Sequence, residues 1–243
     1  MGVLDNKNRI ASISSSKAHL ITANGIGKKP FSAGCITYLN QLKREKRFTL
    51  SVEDNFYSRP AAWGIFCERY VSENILGFKY KHLGDVTFTH PEINRWVGTP
   101  DFLSADCVSE LKAYYPKKFT EYAEAIESQD LELIKKNFKQ EYWQIVSNAC
   151  ILDLKFGETF LFMPKFENLD LISASVEDYE GSDLWKYRFI HEEILDRPEN
   201  PAIPFIPKES DYKDWNEFRF EIPKEDKDLL TDKILLAIEY LES

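Results

Sequence analysis

The chain has 243 residues, 43% of them hydrophobic and 14% aromatic, which excludes a disordered polypeptide and predicts one domain with a substantial core. A formal net charge of -9 argues against a simple nucleic-acid binding module, so any such affinity must come from a local basic groove or a metal site. Since there is no run of about 18 apolar residues, and the start, MGVLDNKNRI, lacks the layout of a signal peptide, we expect a cytoplasmic protein without a membrane partner.

The first third of the chain is predicted to contain three helices. A short helix is expected over residues 9–21, which include a Ser-rich stretch, and a second over residues 36–47, where the polar face is charged. A third is expected over residues 61–76, because Pro60 precedes it and Gly77 follows it, and these residues are typical of the two ends of a helix.

Strand composition begins at residue 85. Residues 85–90, 94–103 and 107–115 are each expected to form a strand, and together an antiparallel meander. Residues 157–164, GETFLFMP, are nearly all apolar, which is typical of a strand inside a sheet. We expect this strand to lie next to the one that carries Glu110.

The other segments complete an α/β (α+β) order of elements. Helices are predicted over residues 117–137 and 140–155, and residues 195–224, which contain five prolines, are expected to be an irregular surface excursion. Residues 228–243 form an amphipathic pattern. This last helix should pack on the core, although a partner helix is an alternative. Its apolar stripe consists of Leu230, Ile234, Ile238 and Leu241.

Two opposite charges lie close together in the strand 107–115. Residues two apart in a strand project from the same face, so Glu110 and Lys112 should lie together while Leu111 faces the core. A hairpin would bring Asp101 to the same end of the sheet. Two neighbouring carboxylates repel each other unless a cation lies between them, and hard oxygen ligands suit Mg²⁺ or Mn²⁺. The lysine could orient or help to deprotonate a water and offset charge on a phosphate, as metal-dependent phosphodiester cleavage requires.

An acid two residues before a lysine is a weak pattern by itself. It occurs five times in this chain, and only the copy at Glu110 lies in a strand-like run with another acid, Asp101, upstream. A salt bridge across the face of the strand would also explain Glu110 and Lys112. This alternative stays open for the pair alone.

Two helical residues are further candidates for the same site. Glu68 lies among apolar residues, where a carboxylate must either form an ion pair or bind a metal, so an ion pair with Arg69 or Arg59 is the alternative. Gln144 belongs to a polar stripe with Gln140 and Asn148 on an otherwise apolar helix. We take Gln144, which lies between a tryptophan and an isoleucine, as the better site candidate.

The N-terminal segment RIASISSSK has the groups that bind a phosphate, namely hydroxyls, basic side chains and backbone amides at a helix start. A serine that caps an ordinary first helix is the alternative. The candidate residues are Arg9, Ser14, Ser15, Ser16 and Lys17.

Other polar and aromatic residues are assigned simpler roles. The four cysteines are far apart and should be reduced core residues, and the four histidines match no catalytic pattern and are assigned surface or structural roles. Trp63 and Trp96 are expected in the core rather than stacked on bases. A basic run on the second helix is expected to be solvated, with DNA contact as the alternative. It contains Lys43, Arg44, Lys46 and Arg47.

The order of the motifs WGxxxE, GTPDF, ELK, YWQxxxN and FMP resembles the PD-(D/E)XK nuclease superfamily, and within it the YqaJ-type viral recombinase group of phage lambda exonuclease-like proteins. The resemblance covers residues 9–165 and leaves residues 166–243 as a C-terminal embellishment of the single domain. It implies a restriction-endonuclease-like core, in which a central mixed sheet is flanked by helices.

The resemblance also implies roles for individual residues. Residues that match Asp101 and Glu110 bind the metal together with the backbone carbonyl at Leu111, and the lysine matching Lys112 serves the nucleophilic water. Pro100 matches the proline that usually precedes the first acid.

Three further roles follow from the same resemblance. The helical acid matching Glu68 contacts a second metal, directly or through water, and the glutamine matching Gln144 helps to fix the site. A pocket near the N-terminus receives the terminal 5′-phosphate in lambda-type exonucleases, which suggests that role for the segment from Arg9 to Lys17.

The implied activity is a Mg²⁺-dependent exonuclease, with Mn²⁺ as a possible substitute. It would degrade linear double-stranded DNA from 5′ to 3′ and leave 3′ single strands for a single-strand annealing protein. A ring-shaped trimer around the DNA is implied as well. The alternatives are an endonuclease of the same fold and a non-catalytic protein that binds DNA ends or a partner.

Overall fold

The computed structural model describes residues 9–27, 29–52, 57–84 and 86–243. Residues 1–8 lie outside the described residues, and they include most of the stretch that lacks the layout of a signal peptide. Asp85, the first residue of one predicted strand, lies outside them as well. Within the described ranges, no helix combines the length and the apolar character needed to cross a membrane. The elements are β1 (Ile13–Ser14), α1 (Ala18–Thr22), α2 (Ala33–Phe48), α3 (Arg59–Asn74), β2 (Lys81–His82), β3 (Phe88–Thr89), β4 (Trp96–Gly98), β5 (Phe102–Leu103), β6 (Cys107–Lys112), α4 (Pro116–Glu127), α5 (Leu131–Asn137), α6 (Lys139–Leu152), β7 (Phe156–Phe162), α7 (Leu169–Glu177), α8 (Arg188–Asp196), β8 (Trp215–Glu221) and α9 (Lys224–Glu242).

A mixed five-stranded sheet forms the centre of the structure, in the order β2-β5-β6-β7-β8. β6 and β7 run parallel, whereas the other neighbouring pairs are antiparallel. β7, predicted from GETFLFMP, therefore lies beside the strand that carries Glu110, as expected. Helices cover both faces of the sheet, which confirms the predicted α/β fold with a central mixed sheet.

Alternate residues of β6 face two different layers of helices. Val108 packs in a core with residues of α1, α2, α4, α6 and α9, whereas Leu111 packs in a second core with residues of α3, α7 and α8. Glu110 and Lys112 lie on the α6 side, where both hydrogen-bond to Gln144. The predicted alternation along this strand is confirmed.

The predicted antiparallel meander is wrong, because the segment 94–103 is divided between two sheets. Its first part, β4, lies between β1 and β3 in a separate three-stranded sheet, and its second part, β5, pairs with β6. Thr99, Pro100 and Asp101 separate the two parts. A proline has no N–H to donate to a strand partner, so Pro100 interrupts the ladder and the chain passes from one sheet to the other.

The predicted helix over residues 9–21 is correct only from Ala18 onward. Ile13–Ser14 instead form β1, which pairs in parallel with Trp96 and Val97 of β4, and Ser15–Lys17 form one turn of 3-10 helix. Serine has a low helix propensity because its hydroxyl competes for backbone groups. The strand partner is distant in the sequence, and local patterns do not reveal it.

The predicted helix over residues 117–137 is two helices. α4 ends at Glu127, and Gln129 then adopts a left-handed conformation with φ of 54°. Asp130 begins α5, because its side chain accepts hydrogen bonds from the backbone N–H groups of Glu132 and Leu133. The helices expected over 36–47, 61–76 and 140–155 are confirmed as α2, α3 and α6.

The irregular excursion predicted for residues 195–224 is wrong over residues 215–221. These residues form β8, which pairs with β7 along its whole length and buries Phe218 and Phe220. α9 then packs on α1, α2 and α6 with Leu230 and Ile234 fully buried, as its apolar stripe predicted. Residues 166–243 therefore contribute a strand to the central sheet and helices to both of its faces.

The two tryptophans assigned to the core and three of the four cysteines lie there as expected, whereas Cys150 is only partly buried against it. Trp63 and Trp96 have no exposed surface, and all four cysteines are free thiols. Three of these cysteines are buried, and burial raises the pKa of the Cys35 thiol to about 11. Both tryptophans are therefore core residues.

Gly157 in β7 provides a test of the packing between the sheet and α6. A Cβ atom there would lie 2.3 Å from Cγ2 of Ile145 and 3.2 Å from Cζ of Phe220, so we expect Gly157→Ala to destabilise the fold by about 1–3 kcal/mol. Urea unfolding measures the change. The control is Gly64→Ala in α3, where no atom lies within 4 Å and a stabilisation of up to about 1 kcal/mol is expected. Equal stability of the two variants would contradict this packing.

Candidate active site

Glu110 is a fully buried carboxylate at the centre of the candidate site. Its Oε2 accepts hydrogen bonds from Nζ of Lys112 at 3.2 Å and from Nε2 of Gln144 at 2.5 Å. Its Oε1 accepts a hydrogen bond from Nδ2 of Asn148 at 2.6 Å. Three donors, one of them a cation, compensate for the loss of water around this charge.

Asp101 lies against the same strand, directly before β5. Its Oδ2 accepts a hydrogen bond from the backbone N–H of Leu111 at 2.7 Å, and its own carbonyl oxygen accepts one from the backbone N–H of Leu83 at 3.0 Å. The bond to Leu111 joins Asp101 to the residue that follows Glu110. The structure therefore brings together the four residues of the predicted GTPD and ELK cluster, which are Asp101, Glu110, Leu111 and Lys112.

The charges in this cluster do not balance. Burial and the neighbouring charge of Glu110 raise the pKa of Asp101 well above its ordinary value. Burial also raises the pKa of Glu110, and the ammonium of Lys112 opposes that rise. Burial alone would lower the pKa of Lys112, but Glu110 and Asp101 together raise it, so Lys112 carries its proton. Two acids thus share one ammonium, and a further cation would relieve their repulsion.

Glu68 enters from α3 but contacts a histidine. Its Oε1 lies 2.7 Å from Nε2 of His82 in β2, while its charge raises the pKa of both Asp101 and Glu110. The alternative of an ion pair with Arg69 or Arg59 is wrong. Arg69 lies over the ring of Tyr179 and Arg59 pairs with Glu193.

The donor set suits a hard divalent cation. Within the part of the chain that the structure describes, no group of three or more His, Cys, Asp or Glu side chains is arranged to hold a metal ion. Mg²⁺ does not need such a group, because proteins usually hold it through one or two carboxylates, with waters and substrate phosphates completing its shell. Asp101 and Glu110 meet that requirement, with the carbonyl of Leu111 as the predicted third ligand.

One cavity of about 190 Å³ connects the acids with the N-terminal segment. Its walls include Asp101, Glu68 and Gln144 on one side and residues of the predicted phosphate-binding segment on the other. Thr99 and Gly98 line the cavity between them. The residues from the phosphate-binding segment are Arg9, Ser14, Ser15 and Ser16.

The residues of the predicted phosphate-binding segment have different surroundings. Ser15 is buried, and its hydroxyl bonds to Ser147 at 2.9 Å, whereas the hydroxyls of Ser14 and Ser16 lie 3.0 Å apart. The side chain of Ser14 makes no capping hydrogen bond, so the alternative of a serine N-cap is wrong for this residue. Lys17 lines an adjoining cavity of about 50 Å³, together with Arg9 and Ser14.

The basic run on α2 faces solvent. Arg44, Lys46 and Arg47 are exposed, and Lys43 lies over the ring of Tyr240 at 4.3 Å. Its predicted solvated position is confirmed, and contact with DNA stays an alternative for these residues.

Sequence reasoning missed two residues that contact the site. His82 was assigned a surface or structural role, and it lies on an edge strand whose pairing with β5 the sequence does not signal. Asn148 belongs to the predicted polar stripe, one turn beyond Gln144, but the stripe alone does not predict its hydrogen bond to Glu110. The four-residue spacing of Gln144 and Asn148 was the available signal, since both point to one face of α6.

Comparisons with known proteins found likeness in structure alone. No family model and no curated protein matches the sequence. A crystal structure of LHK-Exo, an alkaline exonuclease from Laribacter hongkongensis, in complex with dAMP is 13% identical, with a TM-score of 0.58 over 97% of this chain and 90% of that chain. A second structure of LHK-Exo is 12% identical, with a TM-score of 0.56 over 96% and 89% of the two chains.

A phage-related exonuclease from Haemophilus somnus 129PT is also similar, at 13% identity and a TM-score of 0.57 over 95% of this chain and 93% of that chain. The similarity extends over nearly the whole chain and so includes most of residues 166–243. This chain therefore has the fold of these exonucleases, as the resemblance to the YqaJ-type group implied.

Asp101→Asn tests the charge imbalance. Burial and the charge of Glu110 disfavour the ionised form of Asp101, whereas a neutral amide can still accept the hydrogen bond from Leu111, so we expect the variant to stabilise the metal-free protein by about 1 kcal/mol at neutral pH. Thermal unfolding in EDTA and in excess Mg²⁺ measures this. Mg²⁺ should raise the melting temperature of the unmodified protein but not that of the variant. The control is Asp211→Asn, which changes an exposed carboxylate and should leave the Mg²⁺ response intact.

Proposed function

We propose that this chain is a Mg²⁺-dependent exonuclease that degrades one strand of linear double-stranded DNA from 5′ to 3′. The observation that carries the proposal is the single cavity that joins Asp101 and the Glu68 side chain with Arg9 and the serines of the N-terminal segment. A site for phosphodiester hydrolysis needs a cation-binding pair of acids, and an end-dependent nuclease needs a second group that recognises the terminus. The fold shared with two exonucleases supports the same activity.

Each residue of the cluster has a distinct task in this proposal. Asp101 and Glu110 hold the cation, with the Leu111 carbonyl as the third protein ligand, and Glu68 is available to a second cation or its waters. The bound cation would polarise the scissile phosphate and lower the pKa of a water. Lys112, as an ammonium, orients the attacking water and offsets the charge that develops on the phosphoryl oxygens.

The bond changes fit repeated removal of nucleotides from a 5′ end. Water adds to the phosphorus that links the first two nucleotides, the bond to the 3′-oxygen of the first nucleotide breaks, and that oxygen takes a proton. The product is a 5′-mononucleotide, and the shortened strand again begins with a 5′-phosphate. Arg9 and the hydroxyls of Ser14 and Ser16 would then bind this phosphate in each cycle. That LHK-Exo was crystallised with dAMP supports a mononucleotide product.

Two further parts of the proposal rest on the resemblance. The 3′ single strands left by digestion would be substrates of a single-strand annealing protein in phage-type recombination. A ring-shaped trimer would enclose the DNA, and enclosure would let an acidic chain of net charge -9 retain a polyanion that its overall field repels.

Digestion of linear duplex DNA with a 5′-phosphate on one strand tests the activity. We expect Mg²⁺-dependent loss of the phosphorylated strand, release of mononucleotides, no reaction in EDTA and no cutting of a covalently closed circle. Lys112→Ala is the matched inactive control and should slow cleavage by about 100- to 10,000-fold while binding of DNA ends remains. Nicking or linearisation of the circle would show an endonuclease instead. Absence of cleavage with Mg²⁺ and with Mn²⁺ would favour a non-catalytic end-binding protein.

Arg9→Ala tests recognition of the terminal phosphate. Loss of a charge-assisted hydrogen bond, worth about 1.5–3 kcal/mol, should reduce kcat/KM on a 5′-phosphorylated end by about 10- to 100-fold. Cleavage of the same duplex with a 5′-hydroxyl should change little. Arg197→Ala, which removes an exposed arginine at the end of α8, is the control and should behave like the unmodified protein on both ends. An equal loss on both substrates would remove the phosphate-binding role.

A further inference from the structure

Asn148 is a buried amide that contacts the candidate metal ligand Glu110 directly. It lies on α6 one turn after Gln144, and only 1% of its surface is exposed. Its Nδ2 donates to Oε1 of Glu110 at 2.6 Å, while Gln144 donates to Oε2. Two consecutive turns of one helix thus hold the two oxygens of one carboxylate.

The oxygen of this amide, Oδ1, lies beside Gly98. Among the described residues, nothing donates to Oδ1 of Asn148, which instead faces the backbone of Gly98, where a Cβ atom would lie 2.0 Å away. In the part of the chain that the structure describes, the amide is therefore held by hydrogen bonding at its Nδ2 end alone. The opposite orientation of the amide would place its oxygen against the carboxylate of Glu110 and is excluded by repulsion.

Gly98 connects this contact to the second acid. It ends β4 and directly precedes the segment Thr99-Pro100-Asp101, so the side chain of Asn148 contacts both chain segments that carry the acids. The absence of a side chain at residue 98 makes room for the amide. Asn148 therefore hydrogen-bonds to one acid-carrying segment, at Glu110, and packs against the other, at Gly98.

The number of hydrogen-bond acceptor positions on Glu110 indicates what the contact with Asn148 does. A carboxylate offers about four lone-pair positions, and Lys112, Gln144 and Asn148 use three of them. The two donors to Oε2 fill that oxygen. The remaining position is on Oε1, the oxygen that Asn148 holds.

We propose that Asn148 is a positioning residue that fixes the Glu110 carboxylate so that Oε1 presents its single free acceptor position to the divalent cation. The proposal rests on the metal-dependent nuclease function. Asn148 contacts neither DNA nor the attacking water. It acts through Glu110, so its loss should weaken metal binding and lower kcat while the KM for DNA stays unchanged.

Asn148→Leu is the main test, because leucine has nearly the same shape and lacks both polar atoms. Calorimetric titration of the metal-free protein with Mg²⁺ and Mn²⁺ should give a Kd about 10- to 100-fold higher than that of the unmodified protein. kcat should fall at saturating metal. Thermal unfolding in EDTA separates this effect from a loss of stability. If Asn148→Leu does not fold, Asn148→Ala, which removes the amide and leaves a smaller side chain, should show the same rise in metal Kd.

Tyr142→Phe is the matched control for the loss of a buried hydrogen bond on the same helix. Tyr142 is fully buried on α6 and donates to Asp226 at 2.5 Å, away from Glu110. This variant should lower the melting temperature and leave the metal Kd unchanged. If it raises the metal Kd as much as Asn148→Leu does, loosening of the helix explains both results and the positioning role is wrong.

The remaining outcomes separate this inference from the proposed function. If the unmodified protein binds neither metal and cleaves no DNA, the proposed function fails and the inference fails with it. If the unmodified protein binds metal and cleaves DNA, and Asn148→Leu does so with the same metal Kd and kcat, only the positioning role is overturned.

Discussion

The burial of one negative charge, the carboxylate of Glu110, sets the conditions for the rest of the candidate site. A carboxylate without access to bulk water must be surrounded by donors, and here they come from the same strand and from α6. This requirement explains why Lys112, Gln144 and Asn148 converge on a single side chain. It also explains why α6 carries Gln144 and Asn148 four residues apart on one face.

Asp101 adds a second acid that this network does not neutralise. Its position depends on Pro100, which ends one sheet pairing and lets the chain enter the central sheet beside β6. Its charged form is unfavourable in the metal-free protein, where burial and Glu110 raise the pKa of Asp101, and a bound cation would offset this. The same turn brings Gly98 and Thr99 to the cavity that reaches the N-terminal segment, so one irregular stretch connects the acids with the proposed phosphate site.

Local charge, rather than net charge, governs the proposed interaction with DNA. The chain is acidic overall, yet the proposed contacts are a cation held by two acids, the ammonium of Lys112 and the guanidinium of Arg9. Such an arrangement favours recognition of one phosphate at an end over binding along the length of a duplex. The basic run on α2 faces solvent and does not line the cavity that contains Asp101 and Arg9.

The sequence by itself determined the elements that have strong local signals, because helix periodicity and strand alternation are properties of neighbouring residues. These elements are α2, α3, α6 and β7. It also determined that Glu110 and Lys112 share one face of a strand. It also indicated the acids and the N-terminal segment as candidates. Only the tertiary structure decided that residues 94–103 divide between two sheets and that β1 replaces the start of a helix. It also decided two contacts of the site, that of Glu68 with His82 and that of Asn148 with Glu110. Each of these depends on a partner distant in the chain, and pairing between distant segments leaves no periodic trace in either segment alone.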